Sequence, residues 1–181
     1  DACYNGCFKV DDYIAARYIF NPGSTIVTKG NTVNTLQDTW TNELMGLLNL
    51  GVCVGDWAKG QLTAEAHLIG DPTFAFAPQK ELLGGFDLAR AIVTEKNNVN
   101  YWRKVMKADV ASEAKALAIK MLYKNNAITS SELLEIAKTS PYSHVRLEAF
   151  MTNKAIADEN LVEAIKIALA DNYYCMQERK S

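Results

Sequence analysis

The second half of the chain repeats its own helical wording at a period of about 30 residues. Lys115-x-x-Ala118 is answered by Arg146-x-x-Ala149, and Leu133-Leu134-Glu135-x-x-Lys138 by Leu161-Val162-Glu163-x-x-Lys166. A helix with one apolar stripe cannot bury that stripe alone, so such units stack as helix pairs. The spacing turns Ala114, Leu117, Ala118, Met121 and Leu122 inward on one helix, and Val145, Ala149 and Phe150 on the next. Asp171-Asn172-Tyr173-Tyr174 opens what reads as a third unit, and a stack that stops at Ser181 without a polar cap is expected to continue. Glu135 and Lys138 read as decoration of a solvated face. The stack itself is expected to offer a surface to a protein partner or to act as a spacer.

Before residue 80 the character is different: short β-rich runs alternate with helical stretches, which implies a parallel or mixed sheet. A helix is expected over 10–20, with Tyr13, Ala16, Arg17 and Phe20 at helical spacing and Asn21-Pro22-Gly23 as its stop. A β-branched strand follows over 24–28, ending at Lys29-Gly30-Asn31. A longer helix is expected over 39–54, with Trp40, Leu44, Leu47 and Leu48 on one face. His67-Leu68-Ile69 and Thr73-Phe74-Ala75-Phe76 read as two short strands around the turn at Gly70-Asp71-Pro72. The expected division is 1–77, a linker with a connecting helix over 78–108, and the helical repeats over 109–181.

Composition narrows the function classes. A net charge of −2 and a pI near 5.7 show no basic excess, so nothing points to nucleic acid. The best apolar run, 44–54, is short of the roughly 18 to 20 residues a membrane span needs. Cys3 and Cys7 are not followed by a second Cys/His pair at zinc-site distance, and His67 and His144 lie far apart, so no metal or cofactor is expected. Four cysteines in 181 residues are too sparse for a disulfide framework and read as mostly free thiols.

The opening word, Asp1-Ala2-Cys3-Tyr4-Asn5-Gly6-Cys7-Phe8, looks like a strand end turning sharply, with a thiol at the rim of a sheet. It resembles the nucleophile segment of the gingipain-like cysteine peptidases, which have a caspase-like fold. About 65 residues on, His67-Leu68-Ile69-Gly70-Asp71-Pro72-Thr73 resembles the closing strand of the same domain, and the order of the pieces between agrees. The resemblance covers roughly residues 1–77. It implies an α/β fold: the C-terminal part of a mostly parallel caspase-like sheet with flanking helices, followed by the all-α region, which in turn resembles HEAT-type repeats through Val145-Arg146-x-x-Ala149.

The family resemblance implies hydrolysis of a polypeptide by a Cys/His dyad. Cys3 is the nucleophile and contributes its backbone N–H to the oxyanion hole, while Asn5-Gly6 permits the turn. Substrate would bind along Thr28, Lys29, Gly30, Asn31 and Thr32 as an added strand, with Trp40 beside it. The family's histidine lies upstream of the cysteine, where this chain has only two residues, and neither His67 nor His144 fits that place. These 181 residues are therefore expected to be inactive alone and to need the preceding part of the domain as partner. The resemblance also implies a bacterial protein at an extracellular, cell-surface or periplasmic location, and leaves calcium open. Two other readings stand beside it: a catalytically silent binding or scaffold module, and a thiol-redox protein using Cys3 and Cys7.

Overall fold

Thr129 and Glu132 show in miniature how the helical half is built: Glu132 N–H donates to the Thr129 hydroxyl while Thr129 N–H donates to the Glu132 carboxylate, a reciprocal cap. The computed structural model describes residues 4–34, 43–60, 66–173 and 176. It divides into two compact units, Asp1–Gln79 and Lys80–Ser181.

The second unit is all helix among its described residues. We label its helices α3 (Leu88–Thr94), α4 (Val99–Lys107), α5 (Ser112–Lys124), α6 (Ser130–Thr139), α7 (Ser143–Ile156) and α8 (Leu161–Ala170). Asp87 and Asn98 cap α3 and α4 by accepting from the Arg90 and Tyr101 N–H groups. Helix α4 packs on α5, α5 and α6 on α7, and α7 on α8, so the pairs share one core. Trp102, Leu122, Leu133, Leu147 and Phe150 are fully buried in it. The inward sets expected on α5 and α7 are buried as well.

Two arginines tie successive pairs together. Arg103 of α4 grips the Glu132 carboxylate, with its nearer nitrogen at 2.6 Å, and also donates to the Ala127 carbonyl. Arg146 of α7 holds Asp171 at 2.6 and 3.1 Å and donates to Ser140 O. Each fork thus fixes a carboxylate and a loop carbonyl at once. In both pairs the guanidinium bond holds the carboxyl below its ordinary value.

The first unit overturns the expected sheet. Its described strands are β1 (Val27–Asn31) and β2 (Ala66–Gly70), and they run antiparallel, Val27 opposite Gly70 and Asn31 opposite Ala66. The expected mostly parallel caspase-like sheet is therefore corrected: the sheet among the described residues is two-stranded and antiparallel. The residues before β1 do not restore a parallel sense. Tyr4 N–H donates to Val33 O and Gly6 N–H to Asn31 O, so partner numbers fall as donor numbers rise, as in an antiparallel pairing. Helix α1 (Ile14–Phe20) lies against both strands and buries Ala15, whereas Phe20 at its end is 75% exposed.

Other local expectations shift for physical reasons. Strand β1 includes Lys29, Gly30 and Asn31, which were expected to be a loop. The long helix expected over 39–54 is, in its described part, a 3₁₀ helix at Met45–Leu50 followed by α2 (Val54–Ala58). Leu44 and Gly51 at its ends are left-handed, with φ of 55° and 84°, and a helix cannot run through them. Thr73–Phe76 is not a strand either. The carbonyls of Phe74 and Pro72 accept from Val54 and Gly55 N–H at 3.0 and 2.7 Å, so this stretch caps the start of α2 instead.

Candidate functional site

Asn5 and Gly6 hold the opening word in place. Asn5 accepts twice, its carbonyl from Ala15 N–H and its side chain from Asn31 N–H, at 2.9 and 2.8 Å. Gly6 crosses Gly30 so closely that a Cβ on Gly30 would lie 2.7 Å from Gly6 Cα. These glycines are required by backbone approach, not by a turn. The left-handed residue in this word is Tyr4, with φ of 56°, rather than Asn5 or Gly6 as expected. Cys3 lies outside the described residues, as does Trp40.

The closing word is built with equal economy. Gly70 ends β2 with φ of 110°, and a Cβ there would strike Ile26 O at 2.2 Å. Asp71 N–H then donates to that same carbonyl, and the Asp71 carboxylate accepts from Thr73 N–H and Oγ1 at 2.8 and 2.6 Å. Those two bonds hold the Asp71 carboxyl below its ordinary value.

Between the two words runs β1, and beside it lies a cleft of about 510 Å³. Thr28 and Lys29 line the cleft; Gly30 is buried against Gly6, and Asn31 gives its N–H and C=O to Asn5 and Gly6. The structure thus brings Thr28 and Lys29 to the cleft and places Gly30 and Asn31 in packing, and Thr32 is not among the lining residues. The remaining wall comes from Met45, Leu48, Trp57, Phe74 and Phe76, which the sequence reading did not assign to a site. The i, i+2 spacing of Phe74 and Phe76 was the available signal, and their rings meet edge to face at 5.0 Å. Trp57 is 7% exposed, and its indole N–H is anchored on Glu43 O at 2.9 Å. The Lys29 ammonium stands 5.6 Å from the centre of that ring. Burial holds the Lys29 amine below its ordinary value.

The remaining reactive side chains are dispersed. Cys7 and Cys53 are free thiols. Cys7 lines a second hollow of about 530 Å³ with Tyr4, Val10, Tyr13 and Ile14. Cys53 donates to Asp56 Oδ2 at 3.3 Å. His67 sits in β2 opposite Gly30, with the Phe8 ring edge-on at 5.4 Å and a buried Nε2 that takes no hydrogen bond among the described residues. His144 is half-buried in the first turn of α7. Among the described residues no three His, Cys, Asp or Glu side chains gather as a metal site requires, and no helix is long and apolar enough to cross a membrane. Comparison of the chain with family models, with curated proteins and with solved structures found no match.

Proposed function

We propose that these residues are the C-terminal part of a cysteine-type endopeptidase of the gingipain-like kind, secreted or held at a bacterial cell surface. Cys3 is its nucleophile, and the histidine that takes the thiol proton comes from polypeptide outside these 181 residues. The observation that carries the reading is the placement of the two words. Tyr4–Gly6 lies along the edge of β1 away from β2, and β2 with Gly70-Asp71-Pro72 lies along the other, so both border the strand that walls the cleft. The helical pairs of the second unit then serve as the HEAT-like region that positions the enzyme or binds a protein partner.

The test is covalent labelling of the whole protein with peptidyl acyloxymethyl ketones. The thiolate displaces the acyloxy group and leaves a thioether on the sulfur. The expected result is one adduct, on Cys3, lost in Cys3→Ala and absent from the 181-residue chain alone. A whole protein that takes no label, or a Cys3→Ala variant labelled as strongly as the parent, rejects the enzyme.

One observation favours a second reading, a catalytically silent binding module. Asn5 and Gly6 are both consumed by packing on Asn31, Ala15 and Gly30, which accounts for their place in the opening word without any chemistry. In that case the cleft binds a partner and Cys3→Ala leaves function intact.

A further inference from the structure

Strand β2 carries one titratable side chain, His67, on the face that receives the opening word. Its ladder partner is Gly30, whose missing Cβ lets Gly6 cross the sheet and Ala15 approach from α1. Residues directly opposite in an antiparallel pair share a face, so His67 stands beside Gly6 on the α1 side. The Phe8 ring lies against the imidazole, with centroids 5.4 Å apart and planes at 71°. Nε2 is sealed in this place and takes no hydrogen bond among the described residues.

A neutral imidazole tolerates that, because its single proton can sit on the other nitrogen. The imidazolium carries an N–H at both positions. A proton on Nε2 would therefore bury a charged donor with nothing to accept its hydrogen. The charges on the elements packed against β2 are committed or turned outward. Helix α1 brings Arg17, exposed and paired with Asp12. Strand β1 brings Lys29, whose ammonium stands by Trp57 on the other face of the sheet. The opening word and its link to α1 bring Lys9 and Asp11, both exposed, and the neutral titratable groups Tyr4, Cys7 and Tyr13. Glu65, two residues before His67, lies outside the described residues.

We propose that His67 is a pH-sensitive latch on the opening word: the neutral ring lets residues 4–10 lie on the sheet, and the protonated ring expels them together with Cys3. The word is lightly held. Its bonds to the segment of β1 and beyond are Tyr4 N–H on Val33 O, Gly6 N–H on Asn31 O, and the Asn5 side chain on Asn31 N–H. A segment fastened by so few groups opens locally without unfolding its unit. The released state binds the extra proton more readily, so release is favoured as pH falls through the imidazole range and reversed as it rises. The latch moves the segment whether or not Cys3 is a nucleophile, so it does not rest on the peptidase reading.

The experiment is hydrogen exchange of the 181-residue chain, read by nuclear magnetic resonance at about pH 7.5 and about pH 5.5. Protection factors remove the intrinsic pH dependence of exchange. Those of the Tyr4, Gly6 and Ala15 amides are expected to fall at least about tenfold at the lower pH, while the β1–β2 ladder amides keep theirs. The Asp12 and Asp71 carboxyls, held below their ordinary value by hydrogen bonds from Arg17 and Thr73, stay charged throughout. His67→Phe is expected to remove the fall, and His67→Gln serves in its place should the first variant not fold. The His67 Cε1–H signal is expected to move over the same interval as the loss of protection. Unchanged protection in the parent, or an equal fall in the His67 variant, overturns the proposal. So does a ring that titrates while the word stays protected. Equal loss along the β1–β2 ladder would mean that the sheet unfolds, and that result overturns it as well.

Discussion

The two units treat their large apolar side chains in opposite ways. Among the described residues ten large hydrophobics are exposed in the first unit, including Phe8, Ile14, Tyr18 and Phe20, against five in the longer second unit. The second unit spends its apolar surface on itself: Trp102, Leu122, Leu147 and Phe150 are sealed, and its polar ties close between its own helices. The first unit keeps apolar surface outward, on α1 and along the cleft. Exposed apolar surface is a common mark of interaction, so the proposed function puts recognition in the first unit and support in the second.

The largest expected effect breaks the self-sufficient unit. Trp102 is fully buried, with its indole N–H on Glu95 O at 2.8 Å. Trp102→Ala should lower the stability of the second unit by about 4 kcal/mol, mainly from the cavity, since Glu95 O keeps the Asn98 N–H at 2.8 Å. Urea unfolding followed by helical circular dichroism checks this, and a loss below about 1 kcal/mol would end the claim that this core is the scaffold.

Next comes Arg146→Ala, which takes the guanidinium from an Asp171 side chain only 6% exposed, leaves it the Tyr173 N–H at 2.8 Å, and should cost about 3 kcal/mol. Its signature lies in pH. The folded Asp171 carboxyl is held below its unfolded value, first by the Arg146 bond, so its stabilisation is full above the ordinary carboxylate range. It is lost as pH falls through and below that range. Glu132 behaves the same way through Arg103. The parent should therefore lose stability between neutral pH and about pH 3, and Arg146→Ala should lose less over the same interval. Parallel acid limbs for parent and variant would show that the pair contributes nothing.

The contrast between the units also explains what could be read from sequence. Helix pairs declare themselves locally: the Thr129 to Glu132 spacing, and inward Leu117, Leu122, Val145 and Phe150, lie within a turn or two of one another. The first unit is settled by distant partners. The sense of β1 against β2 depends on residues about 40 apart, and no local spacing encodes it. Thr73–Phe76 has the alternation of a strand, yet carbonyls on either side of Thr73 are taken by the start of α2. Leu44 adopts a left-handed conformation that its side chain gives no reason to expect. The site divides likewise: Thr28 and Lys29 are named through the resemblance, which makes them a loop, and they line the cleft from β1. Met45, Trp57 and Phe76 reach the cleft from three separate segments, and only the fold joins them.

A smaller effect tests whether the first unit depends on the close approach of Gly6 and Gly30. Gly30→Ala would press a methyl group on Gly6 backbone at 2.7 Å and against Ala15 Cβ at 3.3 Å, with no flexible side chain to yield. The expected cost is about 2 kcal/mol, within the range for overpacked sites. Hydrogen exchange should locate it, with the Gly6 and Asn31 amides losing protection while α5 and α7 keep theirs. Loss of protection throughout both units would erase the distinction drawn between them.

The smallest effect on stability is expected at Lys29, and there the comparison becomes sharpest. Its ammonium stands 5.6 Å from the centre of the Trp57 ring and the side chain remains half-exposed, so Lys29→Gln should change stability by less than about 1 kcal/mol. A side chain that matters to folding moves the unfolding midpoint, whereas one that matters to recognition moves only ligand preference. Lys29→Gln should therefore leave the urea midpoint of the first unit nearly where it was. A midpoint shift as large as that of Gly30→Ala would instead make Lys29 part of the packing.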